Sequence, residues 1–477
     1  REISGKTPLV LKLDESDIQG PLRIRVRSFL ETLSLRRERG EKEEVRELPE
    51  PYPVKFTAAD REKLVLVPNT SHAFSRIMAA AFAGQGLRTE SLELGREEAI
   101  RYGKQYVHND ICFPAQMVIG EALAALKSGK YDTKNVAIGM GKYMGDCRLT
   151  HYSRLLRKAL DDAGFPEVPI LTNDDHDAHQ LHPGFKMNLL TSMRIAYALP
   201  MIDAMESLLR KIRPYELEEG TADRAFEEGL DALSEGLEKS GIRGAKKGFA
   251  KAIELLKAVR YDRSEERPKV LIVGEYLLNF HPGANHDIEA YLEKNGLLPN
   301  NASSMYIGSG GIVIQKTYFS RGSQVREYHL DSNLMEKGWY AATDVIFDLA
   351  HEATDKIASA HPLYEPPCRL PDLAKDSDPI IYHTFDTGEG ILIPGEIIHH
   401  AKEGCRAFVI LQPFGCLPNH VVGRGITKRL KSLYPDAQIL TLDYDPDISF
   451  ANIENRLQML IMNVKQAAEG KSLKRSS

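Results

Sequence analysis

Three cysteines, Cys112 in HNDICFPAQ, Cys147 in GKYMGDCRLTHY and Cys416 in ILQPFGCLPNH, lie in turn-like settings suited to thiolate ligands of an iron–sulfur cluster. Three thiolates from distant segments would leave one iron of a cubane without a protein ligand, the arrangement that reductive chemistry needs. Each cysteine precedes an expected helix, where the backbone dipole and free N–H groups lower a thiol pKa and favour the metal-binding thiolate. No C-x-x-C pair occurs, so spacing alone does not fix a metal site. An isolated cysteine is equally a small apolar core residue.

Cys368 in YEPPCRLPD and Cys405 in AKEGCRAFV suggest structural or incidental roles, unless a cluster larger than one cubane recruits them. The segment Asp174–His182, DDHDAHQLH, is rich in metal-ligand types. His176, His179 and His182 could serve a zinc-dependent enzyme, or the segment could border a substrate cavity, or be a polar loop. Glu275, Asn285 and His420 also sit at strand exits or helix starts. There they could touch substrate or orient a cluster ligand, and Glu275 could instead cap its helix. No G-x-x-x-x-G-K-[ST] is present, which excludes a P-loop.

The elements that would position these residues are legible as apolar runs and helical periodicity. LVLVP, NVAIGMG and VPILT alternate with helical patterns over 61–185, giving a first α/β domain with a parallel sheet. Residues 186–266 carry long helical patterns and almost no strand signal, a helical connector. PKVLIVG, AFVILQPF and QILTLDY mark a second α/β domain over 267–467. Residues 1–60 hold a strand-like PLVLKL, a helical stretch and the charged run RRERGEKEEVRELPEPYP, read as a linker. The tail 468–477 reads as disordered. In these sheets Cys147 and Cys416 fall at strand exits, where ligands bind.

With 477 residues, 42% hydrophobic and 27% charged, the chain can bury a large core in more than one domain. Sixty-two basic against 67 acidic residues give a net charge of −5 without a basic block, which argues against nucleic acid. No apolar run has the ~20 residues of a membrane span. Five dispersed cysteines suit a reducing compartment, so a cytoplasmic protein is expected. A first residue of Arg suggests a piece of a longer polypeptide.

The stretches HNDICFPAQMVIGEALAALKSGKYD, MGDCRLTHYSRLLRKALDDAGFPEVPILT, KVLIVGEYLLNFHPGANHDIEAYLEKNG and EGILIPGEIIHHAKEGCRAFVILQPFGCLPNHVVGRG together resemble the 2-hydroxyacyl-CoA dehydratase D-component family. The likeness is to the version found as the C-terminal part of fused CoA-protein activase polypeptides. It covers most of residues 61–465, with PFGCLPNH its most specific part. The resemblance implies two Rossmann-like domains holding a [4Fe–4S] cluster on Cys112, Cys147 and Cys416, in preference to a double-cubane cluster. It implies electron delivery from an ATP-dependent activase, separate or fused, to a small-molecule or acyl-CoA substrate in an oxygen-sensitive, anaerobic system, and it suggests a homodimer. A non-catalytic cluster carrier that relays electrons is the contrasting expectation.

Overall fold

The computed structural model describes residues 9, 11, 19–40, 53–92, 95–142, 147–173, 177–264, 267–295, 313–316, 334–382 and 389–475. The chain divides into two compact units, Arg1–Pro53 and Val54–Ser477. The boundaries that the sequence suggests at 185 and 266 therefore fall inside a single compact unit. In the first unit, α1 spans Gln19–Glu38 and ends in Arg36 and Arg37, cations placed against the negative end of the helix dipole. The strand-like PLVLKL lies almost wholly outside the described residues.

The second unit is α/β and contains two small parallel sheets. The first holds β1 (Leu64–Val67), β2 (Arg88–Ser91), β3 (Val136–Met140) and β4 (Ile170–Thr172), in the order β2-β1-β3-β4. The second holds β5 (Lys269–Gly274), β6 (Val313–Lys316), β7 (Ala407–Pro413) and β8 (Gln438–Tyr444), in the order β6-β5-β7-β8. Every pairing is parallel, with β1 running from Leu64 opposite Val136 and β5 placing Leu271 opposite Phe408. The uninterrupted apolar run of β7 is buried along its whole length, as a strand covered on both faces requires.

In each sheet the first strand lies between the second and the third, so the path of the chain reverses there. The crevice beyond the carboxyl ends of those central strands is where open α/β sheets bind ligands. Helix α2 (His72–Ala83) leaves β1 with Ser71 as N-cap, its hydroxyl accepting the Phe74 N–H. After β2 come α3 (Glu97–Tyr106) and α4 (Phe113–Lys127), the latter with Pro114 in its first turn and nearly all of its residues buried. Helix α5 (Tyr152–Ala163) leads to β4 and closes on Gly164.

Two long helices follow, α6 (Leu189–Ile212) and α7 (Thr221–Ala258), the latter bent where Ser240 and Gly241 leave helical geometry. Their apolar faces share a buried cluster with α2 and with the helix Leu334–Ala358, including Ile77, Met201, Met205, Leu233 and Phe249. After β5 the chain makes short helices α8 (Tyr276–Phe280) and α9 (Pro282–Asn285), then α10 (Ile288–Asn295). Arg213 at the end of α6 grips Glu293 of α10 through two hydrogen bonds, 2.7 and 2.9 Å, and also reaches Glu289 and Asp223. The last helix runs Phe450–Arg475, beyond the 467 boundary that the sequence suggests.

A buried histidine–carboxyl hydrogen bond ties the first sheet to the second. Glu121 in the middle of α4 meets His281, the N-cap of α9, at 2.7 Å, both side chains enclosed. The Ala284 N–H donates to His281 Nδ1, so Nε2 carries the proton and donates to Glu121 Oε1. The other carboxylate oxygen accepts the Asn69 N–H just beyond β1. Burial nonetheless pushes the Glu121 carboxyl pKa upward, against the lowering effect of His281. His281→Ala, which strips the carboxylate of its side-chain partner, lowers stability by about 3 kcal/mol, the range for a broken buried pair. Urea unfolding at neutral pH measures it, and His281→Gln, which still offers a donor, recovers part of the loss.

Candidate functional site

The exits of both sheets meet. The Phe113 N–H at the start of α4 donates to the Phe414 carbonyl just beyond β7, at 3.1 Å. Next to it, Gly415 has φ +74°, and a Cβ there would stand 3.0 Å from the Cys112 Cα. Only glycine accepts both the left-handed backbone and so close a neighbour. That contact brings Cys112 and the Cys416 segment together although they lie 304 positions apart (416 less 112).

Each cysteine occupies the turn into a helical segment. Cys112 is the N-cap of α4, and Cys147 the N-cap of the 3₁₀ turn Arg148–His151, its sulfur accepting the Leu149 N–H at 3.5 Å. Cys416 precedes the short helix Leu417–Asn419, which runs into a π turn over His420–Arg424. The Tyr152 hydroxyl, at the start of α5, lies 3.0 Å from the Cys112 sulfur. Gly415 packs on Cys112, and the Tyr152 that reaches the Cys112 sulfur follows directly on the turn that Cys147 caps, so the three cysteine segments adjoin.

Two carboxyls join them. Glu275 follows β5 and caps α8, accepting the Leu278 N–H at 3.1 Å, while Glu389 accepts the Tyr276 N–H at 3.1 Å. Gly274 before them has φ +139°, and its Cβ position would lie 2.2 Å from the Leu411 carbonyl oxygen, so no larger residue fits. Burial and the neighbouring Glu389 push the Glu275 carboxyl up to about 8; burial raises Glu389 as well.

The helix-start positions suggest lowered thiol pKa values, and the folded chain does the reverse. Burial, then the charges of Glu389 and Glu275, raise Cys147 to about 12 and Cys416 higher still; burial and Glu275 raise Cys112, where the Tyr152 hydroxyl and Arg148 act in the opposite sense. Hydrogen bonds from backbone N–H groups lower each value, but desolvation is the larger effect. Without a bound cation these sulfurs are neutral thiols. A positively charged metal centre is the partner that would convert them to thiolates, releasing protons as it binds. Sulfur and carboxyl groups are donor types that such a centre takes.

The other residues singled out in the sequence divide differently. Cys405 is buried at the opposite, amino end of the second sheet, its sulfur near the Lys269 and Ala407 carbonyls. At about 3.3 Å per strand residue, β7 separates it from Cys416 by on the order of 20 Å. Cys368 is half-buried, its sulfur 3.6 Å from the Arg369 carbonyl oxygen. The Asn285 amide is spent locally, accepting the Ile288 N–H and donating to the Leu278 carbonyl. His420, one turn after Cys416, is exposed, with Nδ1 2.6 Å from Gln412 Nε2.

In the Asp174–His182 segment, His182 is buried, Nδ1 donating to the Phe185 carbonyl at 2.8 Å and Nε2 accepting from Thr172 at 3.2 Å. Asp177 pairs with Lys142 at 2.7 Å, His179 is exposed, and His176 lies outside the described residues. Among the described residues no group of three or more His, Cys, Asp or Glu side chains closes around the position of a single metal ion. No described helix is long and apolar enough to cross a membrane.

Glu389 and Tyr152 are the site residues that sequence reasoning passes over. Gly388-Glu389-Gly390 ahead of a helix and the aromatic five positions after Cys147 were the available signals. Comparison with protein-family models and with curated proteins finds no match for the chain.

The raised Glu275 pKa has a consequence for stability. The folded chain holds this proton more tightly than the unfolded one, so the stabilisation is complete below about pH 4.5 and is lost as pH rises through about 8. Melting temperatures of metal-free protein across that window fall with rising pH, and Glu275→Gln flattens the fall.

Proposed function

We propose that this chain is the iron–sulfur component of an ATP-driven low-potential reductase or 2-hydroxyacyl-CoA dehydratase-like system. In this reading two Rossmann-like domains enclose one [4Fe–4S] cluster, ligated by Cys112, Cys147 and Cys416. What supports it is that Gly415 packs on Cys112 while Tyr152, at the end of the turn that Cys147 caps, reaches the Cys112 sulfur, so three cysteine-bearing segments adjoin. Each thiolate of a cubane would bind a different iron. When bound, the cluster supplies single electrons at low potential and one iron open to substrate.

The chain's own residues supply the surroundings. Cys112 is buried and Cys147 and Cys416 are half-buried, which limits water at the sulfurs, and Glu275 with Glu389 can hold a proton beside them at neutral pH. Phe414, Leu417 and Val421, exposed around Cys416, give the electron-donating activase an apolar face to approach. The substrate class is a small molecule or acyl-CoA, and the setting is cytoplasmic, anaerobic and compatible with a homodimer.

Protein purified anaerobically contains iron and sulfide, and Cys416→Ala loses most of both while keeping its far-ultraviolet circular dichroism. Iron at trace levels, or iron unchanged by that substitution, rejects the proposal. Zinc in place of iron would turn attention to His176 and His179.

A further inference from the structure

Tyr152 is 5% exposed, and its hydroxyl is the described side-chain group that reaches a sulfur of the site, 3.0 Å from Cys112. The 3₁₀ turn that Cys147 caps delivers it: Arg148–His151 completes the turn and Tyr152 opens α5. One ligand segment thus places a donor on the sulfur of another. The phenol is buried against the Cys112 sulfur, and a phenol keeps its proton at neutral pH. When Cys112 is a thiolate only the phenol has a proton to give, so the bond has one direction, O–H to sulfur.

Resting on the cluster reading above, we propose that Tyr152 is a positioning residue that sets the reduction potential, by donating a hydrogen bond to the Cys112 sulfur of the bound cluster. A donor on a ligand sulfur draws off negative charge and stabilises the reduced state, raising the potential. Arg148 acts on Cys112 in the same sense as this donor, and a carboxylate at Glu275 in the opposite one. Tyr152 supplies the side-chain hydrogen bond on that sulfur, and removing its hydroxyl deletes that contribution while leaving the neighbouring charges in place. The other sulfur hydrogen bonds come from backbone N–H groups, of Ala115 to Cys112 itself, of Leu149 to Cys147 and of Asn419 to Cys416, and do not depend on the side chain at position 152.

Tyr152→Phe keeps the ring and deletes the donor. Redox titration followed by electron paramagnetic resonance should show a more negative midpoint in the variant, at iron and sulfide contents equal to wild type. A midpoint that is unchanged or more positive, with iron retained, overturns this inference and leaves the cluster reading intact. Wild-type protein without iron overturns both. Should Tyr152→Phe fail to fold, site-specific difluorotyrosine at 152, a stronger donor of nearly the same volume, should move the midpoint upward; no movement, or a downward one, overturns the proposal equally.

Discussion

The structure of the site depends on one backbone contact, the Phe113 N–H to Phe414 carbonyl bond with Gly415 pressed against Cys112. It joins the start of α4 to the exit of β7, so the carboxyl ends of two separate sheets face a common space. A Cβ at Gly415 would push that seam apart, and a one-residue shift of β7 would turn its side chains to the wrong face. The Glu121–His281 pair braces the same seam from the middle of α4, with Asn69 adding the exit of β1. Backbone geometry and buried charge thus hold the arrangement together from two sides.

What that seam encloses is electrostatically costly. Two carboxyls and three thiols lie near one another, and the cation that offsets them, Arg148, acts on Cys112. Buried groups in such surroundings remain neutral or acquire a positive partner. Elsewhere the molecule pairs its enclosed charges: Glu293, Glu289 and Glu206 are matched by Arg213 and Arg210. The contrast sets these acids and thiols apart from contacts arranged for cohesion.

Much of the fold was legible because the apolar runs were uninterrupted. AFVILQP and KVLIVG could only be strands covered on both faces, and their Gly-containing ends marked the exits. The cysteines could be assigned to those exits from sequence alone. What could not be read was solvation: a cysteine next to a helix start looks activated until it is known how deeply it is enclosed and which acids stand beside it. Glu389 comes within reach of Glu275 only through the folding of α8, 114 positions earlier (389 less 275). Similarly, nothing in HQLHPGF announces that both nitrogens of His182 are already engaged, or that the amide of Asn285 closes a local turn.

The shared strand order has a further consequence. Cys147 follows the third strand of its sheet and Cys416 the third strand of the other, while Ser71 and Glu275 each cap the helix after a first strand. The halves are thus topological counterparts, yet they divide the thiols unequally. A gene cut between Ala258 and Lys269 would yield one fragment with Cys112 and Cys147 and another with Cys416. Neither fragment holds all three thiols, and recombination that shuffles one half without its mate would inherit a scaffold with an incomplete set.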